Sequence, residues 1–297
     1  MRCCRYMKFE HAAESLRTGF YKVSHPSQFN DPFECRGNYT NFDEAVRRYV
    51  HKNFERLKFE AIRNTNSNTV ADQERFTEDF ICEVFRQAMA DEVNASWLGA
   101  IDQTMYIMCF VKERKLTATS DVLFWSHYAD SGKGMRITFD MPEAGDDSPY
   151  YVREVTYEDK IPEFDCRCMK ELFKGAEIVD YLDRLSYTKG SAWSYENEVR
   201  MFVPSNLAER DWNGRKYLLK RQSKEGREID MLRLGHYYTR RVDFGPRVDP
   251  ECAQRLIDEL RTVDETRHIA FWQAKLKPGA YAYTYRKVGR RCEEIGK

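Results

Sequence analysis

No apolar run in this chain approaches the roughly 18 residues that a membrane-spanning helix needs, so none is expected. The opening MRCCRYMKFEHAAESLR lacks the apolar core and cleavage site of a secretory signal, so no signal peptide is expected either. With 9 prolines and 15 glycines in 297 residues, a collagen-like or linker-dominated chain is excluded. Net charge is lacking too: Lys+Arg and Asp+Glu both total 48. A protein held to nucleic acid by phosphate neutralisation alone would normally be basic, so a non-specific binder of that kind is not expected. The 9 cysteines are an odd number and contain no C-x-x-C pair; Cys166 and Cys168 are one residue apart, and Cys3 and Cys4 adjacent. That spacing does not suit zinc, so no metal site is expected. Free thiols point to a reducing compartment and a cytoplasmic location. There is no H-E-x-x-H, no G-x-S-x-G and no kinase signature.

What is present is a chain rich enough in apolar residues (42%) to build a large core without disulfides. Residues 10–18 read as a helix closed by Gly19, followed by a strand at 20–24. From 42 to 97 apolar residues recur at three- and four-residue steps, interrupted by Asn64–Thr69, which predicts an antiparallel helical insertion. The period then changes to two. Strands are expected at 104–112, 134–140, 151–159, 198–204, 227–232, 240–245, 268–276 and 280–288. Helices are expected at 166–186 and 251–263, the latter with Asp249 as N-cap and Pro250 in its first turn. The whole reads as one α+β domain over 1–297, with mixed or antiparallel sheets, flanking helices and the insertion within it.

Three stretches place polar and aromatic residues where a plain core would not. In His25–Glu34, a rigid loop presents Ser24, Asn30, Asp31 and Glu34 to a ligand, or the Asn and Asp simply bond their own backbone as turn residues. In Phe124–Gly134, Trp125 reads as core, while His127 is either a ligand or base, or a satisfied structural group. Gly132 and Gly134 fit the turn into the next strand better than a phosphate loop. In Trp193–Arg200, an extended 196–200 would set Glu196, Glu198 and Arg200 on one face, either as a charged site with Arg200 paired to a carboxylate or as a solvated edge strand. Residues 209–247 carry 11 Lys/Arg against 6 Asp/Glu, with Trp212, Tyr217, Tyr237 and Tyr238 among them. That segment could meet a nucleic-acid target or be a solvated basic stretch.

Taken together, Phe29-Asn30-Asp31-Pro32-Phe33-Glu34, Trp125-Ser126-His127-Tyr128-Ala129 and Trp193-Ser194-Tyr195-Glu196-Asn197-Glu198-Val199-Arg200 resemble the hallmarks of domain-of-unknown-function family 2971. This is a bacterial and phage-associated group often placed near abortive infection systems, and the resemblance runs from about residue 5 to 262. It includes Arg5–Phe9, Gly134–Asp140, Thr188-Lys189 and Val242–Gly245. The layout is similar to a divergent ADP-ribosyltransferase, with Glu196-Asn197-Glu198 as its Glu-x-Glu. It lacks a Ser-Thr-Ser strand, and it opens Cys4-Arg5-Tyr6 where relatives carry Tyr-Lys-Tyr. The resemblance implies NAD as substrate, cleaved by a transferase or glycohydrolase of phage defence. It implies Glu198 at the ribose and Glu196 at the acceptor. Tyr6, Tyr21 or Tyr128 would stack on nicotinamide, Arg5 would bond a phosphate or the carboxamide, and His127 would contact the ribose. Ser24, Asn30, Asp31, Glu34 and Arg200 complete the binding set. The acceptor is an unidentified macromolecule, a nucleic acid among the candidates, or water. The other classes are a ligand-sensing or protein-interaction domain and a nucleic-acid-targeting enzyme.

Overall fold

The computed structural model describes residues 1–65, 74–90, 99, 101–102, 104–141, 150–168, 176–208, 211–212, 215–222, 226 and 228–289. The chain is of the α+β class and divides into two compact units. The first comprises Met1–His25, Thr104–Val155 and Ala192–Lys297; the second comprises Pro26–Gln103 and Thr156–Ser191.

The first unit is built on an eight-stranded sheet. From edge to edge its strands are Tyr283–Val288, Ala270–Leu276, Thr239–Phe244, Met135–Asp140, Arg2–Met7, Met105–Lys112, Glu198–Pro204 and Tyr151–Glu154. All neighbours are antiparallel except Thr239–Phe244 and Ala270–Leu276, whose parallel pairing requires a crossover. The helix Pro250–Arg261 supplies it. As the sequence suggests, the Asp249 side chain caps this helix by accepting from the Glu251 amide at 2.8 Å. Its buried Ala253, Leu256, Ile257 and Leu260 follow the three-to-four spacing. The helix Phe9–Thr18 ends at Gly19, which is left-handed at φ 72°, a conformation glycine adopts without steric cost.

The central strand, Arg2–Met7, pairs along its whole length with Met135–Asp140, Arg2 facing Asp140 and Met7 facing Met135. Its pairing to Met105–Lys112 covers only Cys3 and Cys4. Ser24 exchanges two backbone bonds of 2.9 Å with Ile107 further along that strand. One sheet face joins Cys3, Met7, Ile137, Phe139, Val199, Met201 and Val242 to the helices Phe9–Thr18 and Pro250–Arg261 in one apolar cluster. The other face joins Cys4, Tyr6, Val111 and Ala274 to Phe124, Trp125 and Ala129, at and just after the helix Ala118–His127.

In the second unit the expected insertion forms the helices Phe42–Thr65 and Glu78–Ala90. Their antiparallel pairing is recorded by Asp43–Arg86 at 2.7 Å, Arg47–Asp79 at 3.1 Å and His51–Glu78 at 3.1 Å. Val46, Val50, Leu57, Ile81 and Cys82 are buried between them. Residues 66–73 and 91–97, which include most of the Asn64–Thr69 loop, lie outside the described residues.

Two expected elements differ. The strand 151–159 is two strands, Tyr151–Glu154 and Thr156–Glu158, because the chain changes partner at Val155. The first pairs with Glu198–Pro204 and the second runs parallel to Thr188–Gly190, a switch that a period of two cannot reveal. The helix 166–186 is a 3-10 turn, Cys166–Cys168, and a helix, Ala176–Ser186; residues 169–175 lie outside the described residues. Among the described residues no helix is long and apolar enough to cross a membrane.

Two tests follow. A Cβ at Gly134 would stand 2.1 Å from the Met7 carbonyl oxygen, and one at Gly245 would stand 2.2 Å from that of Gly132. Gly134→Ala and Gly245→Ala should each cost about 1–3 kcal/mol in urea unfolding. Gly99→Ala, with nothing within 4 Å, should stay within about 0.5 kcal/mol of wild type. Burial also lowers the pKa of His236, whose Nε2 donates to the Leu16 carbonyl at 2.7 Å. A depressed folded-state pKa means its contribution is complete above the unfolded value near 6.5. It is lost as pH falls through the lower folded value. The fall in Tm on acidification below about pH 6.5 should therefore be shallower in His236→Gln.

Candidate functional site

The site begins on the strand Glu198–Pro204, buried from Glu198 through Val203. Alternation sends Val199, Met201 and Val203 into the main apolar cluster, which leaves Glu198, Arg200 and Phe202 on the opposite face. Arg200 is 0% exposed. Its Nε donates to Glu198 Oε1 at 2.7 Å and its Nη2 to Oε2 at 3.2 Å, a two-point pair between residues two apart on one strand. The pairing expected from the sequence is therefore present.

The expected position of Glu196 is corrected. It does not share the strand face, because Ser191–Glu196 is a 3-10 helix and Asn197 is left-handed at φ 44°. Asparagine tolerates that region better than most residues, and its Nδ2 donates to the Tyr195 carbonyl at 3.2 Å. The turn separates the two carboxylates: Glu198 takes Arg200, while Glu196, also buried, accepts from the Tyr128 hydroxyl at 2.6 Å.

Tyr128 stands directly after the helix Ala118–His127, which starts with a reciprocal capping box between Thr117 and Ser120. Its inward face carries Asp121, Phe124 and Trp125. The Phe124 ring is a hub: Tyr6 stacks on it at 5.1 Å, with Tyr128 at 5.8 Å and Tyr195 at 6.3 Å. His127 is exposed, its ring 6.2 Å from that of Tyr128. Trp125 is core, as expected, and its Nε1 donates to the Tyr285 hydroxyl at 3.1 Å.

Tyr6, Tyr128 and Glu196 are thus linked around the helix end, and Glu198 and Arg200 pair at the strand start that follows. Arg5, Tyr21 and Ser24 do not join them. Arg5 alternates with Tyr6 and points to the opposite face, donating to the Lys22 carbonyl at 2.8 Å. Tyr21 is buried in the main cluster edge-on to Phe139, and burial pushes its hydroxyl pKa up to about 12. Ser24 is held by its backbone bridge to Ile107.

In the second unit Asn30 is exposed and Asp31 is buried, its Oδ1 accepting from the Phe33 amide at 2.9 Å as a turn residue does. Glu34 lies 3.3 Å from Lys189, with both side chains about nineteen-twentieths buried.

Sequence reasoning missed a buried charged network on the site face. Arg136 Nε donates to Asp243 at 3.0 Å and its Nη1 lies 3.4 Å from Asp121. Asp121 accepts from Tyr6 at 2.6 Å and from Tyr285, and Arg241 also bonds Asp243. Burial raises the hydroxyl pKa of both tyrosines. The available signal was charge inside apolar strand runs: Arg136 in MRITF and Asp243 in RVDF. No group of three or more His, Cys, Asp or Glu suited to a metal occurs among the described residues.

Arg200→Met should destabilise the protein by about 3–5 kcal/mol, because it removes the two-point donor from a buried carboxylate. Adding Glu198→Gln should recover at least about 1 kcal/mol, read as a coupling energy in a double-mutant cycle of chemical unfolding.

No curated protein and no solved structure matches the chain. Residues 124–201, which contain Phe124, Tyr128, Glu196, Glu198 and Arg200, are matched by the model of a family described as protein of unknown function, DUF2971, and in this stretch the chain is similar to that family.

Proposed function

We propose that the first unit is an NAD-cleaving enzyme of the ADP-ribosyltransferase type, with Glu198 as its electrostatic catalyst. The observation that carries this reading is the buried Glu198–Arg200 pair beginning a strand, two residues beyond Glu196 and within the family-matched stretch. The donor set suits the substrate. Glu198 offers carboxylate oxygens to a ribose hydroxyl, and Tyr128 and Tyr195 offer aromatic surface. Glu196 offers a second carboxylate fixed by a phenol.

The chemistry is cleavage of the bond between the ribose C1′ and the nicotinamide nitrogen. The bonding electron pair leaves with nicotinamide, and positive charge develops on the ribose. Glu198 stabilises that charge and accepts from the 2′-hydroxyl. An acceptor oxygen then bonds C1′ and gives its proton to Glu196. If water is the acceptor the enzyme is a glycohydrolase; if a macromolecular nucleophile, a transferase. Either activity suits the abortive-infection setting that the resemblance implies.

A second reading, a ligand-sensing or interaction domain without catalysis, is favoured by one observation: Glu198 and Glu196 each already hold a side-chain partner. Nicotinamide release from NAD by the purified protein decides between them. Glu198→Gln should lower release by at least about 10²-fold with an unchanged fold by circular dichroism. Glu196→Gln should reduce transfer to an acceptor more than bare cleavage. NAD binding with no release by wild type would leave the sensing domain, and full release by Glu198→Gln would remove Glu198 as the catalyst.

A further inference from the structure

Part of the positive charge noted in 209–247 is paired within the first unit. Lys220 pairs with Glu228 at 2.9 Å, Arg221 with Glu14, Arg240 with Asp140 at 2.9 Å, and Arg241 with Asp243. Cations without an ion pair among the described residues gather in one place. Between the helix Pro250–Arg261 and the hairpin of Ala270–Leu276 and Tyr283–Val288 runs an open trough of about 1570 Å³. Arg247, Arg261, Lys275, Arg286 and Lys287 line it, and no aspartate or glutamate among the described residues does. All five are exposed, and none is in an ion pair among the described residues. The sequence agrees: from Thr266 to Cys292 there are seven Lys or Arg and no acidic residue. In a chain of zero net charge this is a concentrated, one-signed field.

The trough also has apolar surface. Ile257, Val288 and Leu276 line it beside Tyr283, Leu276 is 73% exposed, and Tyr281, two residues from Tyr283, is 99% exposed. Its volume exceeds the roughly 300–1,000 Å³ of a small-molecule pocket, which suits an extended occupant. Cations spaced along a groove with exposed aromatic and aliphatic surface between them match the alternation of phosphates and base faces in an unpaired strand. A duplex would present its phosphates and keep its base faces stacked.

We propose that this trough binds single-stranded nucleic acid, the cations taking phosphates and Tyr281 and Tyr283 taking bases. The proposal is independent of the NAD reading and uses none of its residues.

The test is fluorescence anisotropy of a labelled 15-nucleotide oligothymidylate with the intact protein, from 50 to 300 mM salt. Contact with three to five phosphates should give a slope of log K against log salt of about −2 to −3.5. Lys275→Glu/Arg286→Glu/Lys287→Glu should weaken binding at least tenfold. An equal charge change on the second unit, Lys52→Glu/Arg63→Glu/Lys160→Glu, should leave it within about twofold. Tyr281→Ala, fully exposed and so harmless to folding, should weaken binding about fivefold or more, the low end of one base stack. Absence of binding at 50 mM salt would overturn the proposal, as would equal losses in the two charge variants. So would a DNA duplex or anionic vesicles bound as tightly as the single strand.

Discussion

Arg136 fixes the face of the sheet on which the candidate site lies. Its guanidinium sits between Asp243, its partner in register on the neighbouring strand, and Asp121 on the helix Ala118–His127. The rings of Tyr6 and Tyr285 lie 5.8 and 4.4 Å away. Removing such a group from water costs several kcal/mol, which only well-placed opposite charge offsets. Sliding or tilting the helix would separate these charges in a medium that cannot solvate them. The helix is therefore fixed in register as well as in position. Its end delivers Tyr128 to Glu196, so the polar network under the helix sets the geometry of a carboxylate several residues away.

The other face is held differently. There the helices Phe9–Thr18 and Pro250–Arg261 rest on Ile137, Phe139, Val242 and Met201, a contact area that tolerates small displacements at graded cost. One sheet thus has a face governed by packing and a face governed by charge. The residues attributed to the site divide accordingly: Tyr6 and Glu198 belong to the charged face, Arg5 and Tyr21 to the packed one. A single strand, Arg2–Met7, contributes to both because successive side chains alternate.

That alternation explains what could be read from the sequence. The strands at 104–112, 134–140 and 198–204 and the helix at 251–263 were legible because each has one apolar period and one partner set. The Glu198–Arg200 pair was legible because residues two apart on a strand share a face. Glu196 was misplaced because one left-handed residue, Asn197, ends the alternation, and a polar triplet gives no sign of where the strand begins. The break at Val155 was hidden because the chain changes partner there without losing its period of two. The Asp121–Arg136–Asp243 network was not found because its members are more than a hundred residues apart at the extremes, and each alone is one charge in an apolar run. In 209–247 composition gave the excess of positive charge but not the pairing of Arg221 and Arg240, since Glu14 and Asp140 come from distant parts of the chain.

The middle position of Arg2–Met7 in the sheet has a consequence during synthesis. Its full-length partner, Met135–Asp140, leaves the ribosome more than a hundred residues later, Arg2 meeting Asp140 across a separation of 138 positions. At about 5–20 residues per second the interval is roughly 7–28 seconds. Until Met105–Lys112 follows, the segment that will become the middle of the sheet has neither neighbour to pair with, and its two thiols, Cys3 and Cys4, lack the core that later buries them. The strand waits for both neighbours, so the nascent chain depends on holding two adjacent oxidisable thiols out of trouble until Met135–Asp140 closes beside them.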